Sequence, residues 1–214
     1  TPMISFPFGG ILFEFFGWRG SMVVTALLGV VTLAATLFLL QETNNARQKS
    51  LRLVSVAVNY LSLTKNKQFL LFTLNFGFST SIFFSLLNFL PFAFKHLGYS
   101  ASEFGYYIML LPTSFFIGNL ISRKLTPTLG ITKMVQIGSL IIVAGVGVMA
   151  GLVFLGFESA WGLVLPGMVY SLAVGFSLPN ATMGAINAVG RSVKGLGSGL
   201  SGSLQMLLGS GIAA

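Results

Sequence analysis

Between residues 161 and 189, Pro166, Tyr170, Ala173, Ser177, Asn180, Gly184 and Asn187 recur at strict 4-3-4-3-4-3 spacing. On a helix of about 3.6 residues per turn, that spacing lays them along one stripe. Four of the seven carry a phenol, a hydroxyl or an amide. The chemistry such groups do is reversible hydrogen bonding. A second stripe, Thr73, Gly77, Thr80, Ser81, Phe84, Asn88 and Pro91, runs through residues 69–94, a segment that also holds nine phenylalanines. Mixed aromatic and hydroxyl surface suits a greasy ligand with few polar groups. Asn75 falls roughly opposite this stripe and is expected to contact a neighbouring helix.

Covalent chemistry has no candidates. There is no Asp, and the four glutamates lie at or beyond the ends of apolar segments. No carboxylate pair, His cluster or Ser-His-Asp set can be assembled. The sequence has no cysteine and one histidine, His96, which sits beside Lys95 at a segment end. GLGSGLSGSLQ, from Gly195, is glycine-rich, but it follows no strand and has no Walker lysine, so a nucleotide loop is rejected. The expectation is a protein without catalytic residues, metal or cofactor.

The elements that must position the two stripes are apolar and long. Only 7% of the residues are charged and 54% are hydrophobic, with a mean hydropathy of +0.89; a soluble domain carries about 25% charged residues. Segments 21–40, 69–94, 104–122, 135–157 and 161–189 reach or approach the roughly 20 residues that span a hydrocarbon core. Residues 1–13 read as the end of an earlier span and 195–214 as a span cut short, so the chain is expected to be an internal piece of a longer membrane protein. Two asparagines on one span would each cost a few kcal/mol facing hydrocarbon. Their stripe must therefore face protein or a wet cavity.

Charge gives the orientation. Arg47, Lys49, Arg52, Lys65, Lys67, Arg123, Lys124, Lys133, Arg191 and Lys194, ten of the twelve basic residues, fall in the second, fourth and sixth polar gaps. Glu14, Glu103 and Glu158 fall in the other set. This alternation is the positive-inside pattern, with the basic gaps expected in the cytoplasm. It also accounts for the net charge of +8 without nucleic acid, for which the basic residues are too dispersed.

The second gap is longer than the rest. Arg52, Ser55, Asn59 and Ser62 recur at helical spacing, with Leu51, Val54, Val58 and Leu61 on another face, which predicts an amphipathic helix on the membrane surface. Three regions follow: residues 1–40 as the end of one helical bundle, 41–68 as a cytoplasmic connector, and 69–214 as a second bundle. Within the second, 135–157 is apolar all round, and Gly147 and Gly151 offer a small-xxx-small contact. Gly167, Ser171 and Gly175 offer a close-packing ridge on 161–189.

In this order the segments resemble the major facilitator superfamily, from the end of its fifth span to its eleventh. Pro2, Gly9 and Gly10 are similar to the signature closing span five in drug:proton antiporters. Gly17-Trp18-Arg19 and Glu42-Thr43 resemble the bicyclomycin/chloramphenicol-resistance type. Gly118, Leu120, Arg123, Gly130 and Lys133 resemble the second copy of the superfamily's cytoplasmic loop motif, with Ser122 where an acidic residue would stand. The resemblance implies an all-α polytopic fold and alternating access between two bundles. Spans seven and ten would line the cavity, with six and nine outside and the proton-coupling carboxylates in the missing N-terminal half. Gly9, Gly10, Gly118, Arg123 and Gly130 would then serve the conformational motifs.

The resulting expectation is a proton-coupled exporter of small hydrophobic compounds in a bacterial inner membrane. Its partners would be lipid, protons and the absent half of the same chain. Tyr170, Ser177, Asn180 and Asn187, with Thr73, Thr80, Ser81, Phe84 and Asn88, would form the substrate pathway. A non-transporting scaffold whose polar stripes only bind helices together, or an uptake transporter of another substrate class, are the alternatives.

Overall fold

The computed structural model describes residues 2–39, 53–157, 159–190 and 193–213. Glu42, Thr43, Arg47, Lys49, Leu51, Arg52, Glu158 and Arg191, which entered the sequence reading, lie outside the described residues. The rest is all-α: α1 (Pro2–Leu39), α2 (Leu53–Lys65), α3 (Lys67–His96), α4 (Ala101–Ile108), α5 (Leu110–Leu129), α6 (Ile131–Phe154), α7 (Ala160–Asn187) and α8 (Lys194–Ala213). Five stretches are long and apolar enough to cross a membrane: Phe16–Leu39, Lys67–His96, Glu103–Leu129, Ile131–Phe154 and Ala160–Asn187. Each overlaps one of the five segments read from hydropathy. The chain divides into two compact units, residues 1–52 and 53–214.

The first unit is α1. Gly17 interrupts it with φ 65° and ψ −173°, a conformation open to glycine alone at little cost, so the helix turns a corner where the sequence placed its first polar gap. The Arg19 guanidinium lies 4.6 Å above the Trp18 ring beside that corner. Beyond it, the hydroxyls of Thr25, Thr32 and Thr36 donate to the carbonyls of Ser21, Leu28 and Thr32. Bonded to its own helix, each threonine can face hydrocarbon.

The second unit is built around α7, which packs on α5, α6 and α3, while α3 also packs on α8. Two cores fill it. One gathers Leu90, Phe94, Leu111, Met149, Leu163 and Tyr170 with their neighbours. The other gathers Leu63, Phe69, Phe72, Val135, Ala185 and Val189 at the end where α3 and α6 begin and α7 stops. That second end carries Lys65, Lys67, Lys133 and Lys194 and is called the basic end below.

The span read at 104–122 lies within one candidate crossing, Glu103–Leu129, built from two consecutive helices. α4 stops at Ile108 and α5 resumes at Leu110, because Pro112 has no N–H to donate to the Ile108 carbonyl four residues back. Ser100 and Glu103 start α4 with a capping box. Phe94 then stacks with Tyr99, Phe104 and Tyr107 at centroid distances of 5.2–5.5 Å. Tyr107 meets Trp161 at 5.3 Å, fastening the α3–α4 corner to the start of α7.

Close packing uses other glycines than expected on α6. Gly147 and Gly151 have open space where a Cβ would point, while at Gly138 a Cβ would meet Ser177 and at Gly145 the Pro166 carbonyl. The spacing was right for contact but the face was wrong: α7 lies along Met134, Gly138, Ile142, Gly145 and Met149. The ridge on α7 is used as read. A Cβ on Gly175 would strike the Phe115 carbonyl, and one on Gly118 the Leu172 carbonyl, so α5 and α7 touch backbone to backbone.

Candidate substrate-pathway residues and the polar network

The α7 stripe is the most enclosed surface of the second unit. Tyr170, Ala173, Ser177, Asn180 and Gly184 are all buried, whereas Asn187, at the helix end, is exposed. Tyr170 is 1% exposed and donates its hydroxyl to the Ser79 carbonyl on α3 at 2.6 Å. A helix carbonyl has two lone pairs, so the Ser79 oxygen can accept this bond alongside the one from its own helix.

Two turns further along α7 toward the basic end, a chain of bonds crosses three helices. Ser177 on α7 donates to Asn75 Oδ1 at 3.2 Å. Asn75 Nδ2 on α3 donates to Ser139 Oγ on α6 at 2.6 Å, and the Ser139 hydroxyl donates to the Val135 carbonyl at 2.7 Å. Asn75 is thus the junction of α3, α6 and α7. The neighbour contact expected for it is two contacts, and the signal was the amide itself, which cannot stay unpaired in an apolar span.

Asn180 closes a second network. Its Nδ2 donates to Ser122 Oγ at 2.9 Å and to the Phe176 carbonyl at 2.6 Å. Thr126 Oγ1 donates to Asn180 Oδ1 at 3.1 Å, and Ser122 and Thr126 stand 3.2 Å apart. Every polar atom of the amide is engaged by α5 or by α7 itself. Ser122 is therefore part of a neutral link between α5 and α7.

The α3 stripe faces α8 rather than α7. A Cβ on Gly77 would meet Leu208, and one on Gly209 would meet Phe84. Gln205 Nε2 on α8 donates to Thr80 Oγ1 at 3.0 Å, and Thr80 donates to the Phe76 carbonyl at 2.9 Å. Ser81 donates to the Gly77 carbonyl at 2.9 Å. Thr73 is fully buried on the same seam, and its hydroxyl, like that of Ser201 on α8, has no protein partner. Exposure grows along the stripe: Thr73 and Ser81 are buried, Thr80 and Phe84 half-buried, Asn88 exposed. Gln205, half-buried beside Thr80, belongs with this set; sequence reasoning saw α8 only as a small-residue packing surface and passed over its one amide.

The residues assigned to conformational motifs are scattered. Gly9 and Gly10 lie within α1. Gly118 sits at the α5–α7 contact, Arg123 is exposed near the end of α5, and Gly130 turns the chain into α6 with φ 80°. Among the described residues no group of three or more His, Cys, Asp or Glu is placed to hold a metal.

Five long apolar helices, polar groups paired across helix interfaces, and basic residues gathered at one end define a multi-pass membrane protein. The family model described as Major Facilitator Superfamily matches residues 1–214, and the chain belongs to that family of transporters; it is not an enzyme. It is 25% identical over 140 residues to a protein of Haemophilus influenzae called bicyclomycin resistance protein homolog. The match covers 64% of this chain and 35% of that relative, so the chain spans little more than a third of the relative's length.

Proposed function

We propose that the full protein exports small hydrophobic compounds by alternating access, driven by the proton gradient, and that this chain supplies much of the second-half wall. The reading is supported by membership of a transporter family and by the likeness to a resistance protein. The observation that carries it to particular residues is the α3–α8 face, where the Thr80–Gln205 pair lies beside the half-buried Phe84 and below Asn88. An aromatic surface with one amide and one hydroxyl matches a ligand with much apolar area and few polar groups. Tyr170, Ser177, Asn180, Thr73 and Ser81 shape that wall from behind, and Asn187 stands at the basic end of the pathway.

The test uses the full-length protein in proteoliposomes with an imposed pH gradient and a hydrophobic fluorescent dye. Gradient-dependent dye movement, abolished by a protonophore and weakened several-fold by Gln205→Leu or Phe84→Ala, is the expected result. Dye movement without a gradient removes the proton coupling, and movement unchanged by both substitutions removes the α3–α8 face. Movement only in the inward direction would make it an uptake carrier.

A further inference from the structure

Among its described side chains, from Val58 on, the connector helix α2 shows two apolar edges, one packed against the bundle and one open. Leu63 is 3% exposed in the basic-end core with Phe69 and Val189, and Tyr60 joins that core and reaches Gly199 of α8. The other edge, Val58 and Leu61, is about three-fifths exposed, at 60% and 59%. The corner between α2 and α3 is fixed by Asn66. Its Oδ1 accepts from Phe69 N at 3.1 Å, and its Nδ2 donates to the Ala188 carbonyl at the end of α7 at 2.8 Å. The open edge therefore stands at a set position relative to the spans.

What accompanies Val58 and Leu61 argues against water as their surroundings. The Ser62 and Thr64 hydroxyls donate to the Asn59 and Leu61 carbonyls of their own helix, at 2.7 and 2.9 Å, which removes their need for solvent. Lys65 and Lys67, both exposed, flank the corner, and no acidic residue occurs from position 53 to 96 to offset them. Aliphatic side chains backed by self-satisfied hydroxyls fit the acyl boundary, and lysine stems lie along apolar surface while their ammonium groups reach phosphate. The geometry points to the α2–α3 corner as a docking surface for an anionic phospholipid bilayer at the basic end. Such a surface holds α2, and through Asn66 the ends of α3 and α7, at one height in the membrane.

The experiment places a bimane fluorophore at Leu61→Cys in the full-length protein, after replacing any cysteines outside this cysteine-free chain. Quenching by spin-labelled phosphatidylglycerol is compared with quenching by spin-labelled phosphatidylcholine in mixed vesicles. A basic residue near the surface favours anionic lipid by about fivefold, so phosphatidylglycerol should quench at least fivefold better. The preference should shrink toward parity in K65Q/K67Q and at high salt. A fluorophore at Phe154→Cys, exposed at the opposite end, should show no preference. Equal quenching of the residue-61 probe by both lipids overturns the proposal. So does quenching by neither lipid, whether aqueous iodide reaches the probe or another part of the full chain shields it from both.

Discussion

The α5–α7 and α3–α8 interfaces are both made by small residues, yet they differ in how they treat polar groups. Between α5 and α7, glycines bring backbone against backbone, and Ser122, Thr126 and Asn180 satisfy one another completely. Between α3 and α8, the contacts are glycine against long side chains, an amide–hydroxyl bond joins Gln205 to Thr80, and the buried hydroxyls of Thr73 and Ser201 have no protein partner. Closed hydrogen bonding over backbone contact makes a fixed unit, because any shift breaks several bonds at once. A seam held by side-chain tips, with polar capacity unspent, can shift at lower cost. The difference separates the part of the bundle that holds its shape from the part suited to meeting a ligand.

The strongest way to break this comparison is to force α5 and α7 apart. Gly175→Ala puts a methyl group into the Phe115 carbonyl, and neither backbone can yield without moving its helix. A loss of about 3 kcal/mol is expected, as for severe overpacking, seen as a lower melting temperature and reduced membrane abundance. Gly147→Ala on the open face of α6 should leave both unchanged. Equal effects of the two substitutions would show that α5 and α7 do not touch as described.

Next in size is Asn180→Leu. It removes the bonds to Ser122, Thr126 and Phe176, although Ser122 and Thr126 remain within reach of each other. Interhelical hydrogen bonds in membranes average about 0.6 kcal/mol and reach about 1.7, so a loss of about 1–2 kcal/mol is expected, with substrate affinity of the surviving protein unaltered. Weakened binding at an unchanged melting temperature would place Asn180 in contact with substrate instead. Tyr170→Phe should cost about 1 kcal/mol by deleting one buried bond.

These cases show what the sequence could and could not convey. Hydropathy located each span because a membrane helix must hide its backbone polar groups in its own hydrogen bonds and show apolar side chains. Helical spacing and the cost of an unpaired polar group correctly kept Tyr170, Ser177 and Asn180 away from lipid. They could not say whether water or a neighbouring helix would receive them, since helical spacing defines a face and not the element opposite. Gly147 and Gly151 illustrate the same limit: the pair has contact spacing, but α7 chose the face of Gly138 and Gly145. The break at Pro112 was legible in principle from the missing N–H. The pairing of Thr80 with Gln205, 125 residues apart, depends on which two spans run side by side.

The finest test concerns Thr73 and Ser201. Removing a hydroxyl that makes a hydrogen bond costs stability, whereas removing one that a fold has buried without a partner relieves a desolvation penalty. Thr73→Val and Ser201→Ala should each leave stability unchanged or raise it by up to about 1 kcal/mol, and the double variant should equal the sum. Thr80→Val is the internal control on the same seam: it strands the Gln205 amide and should cost about 1 kcal/mol. If Thr73→Val and Ser201→Ala instead destabilise, and do so less together than the sum of the two, the hydroxyls are coupled through a bridging water. The α3–α8 seam would then be as fully bonded as α5–α7, and the contrast between a fixed and a yielding interface would have to be abandoned.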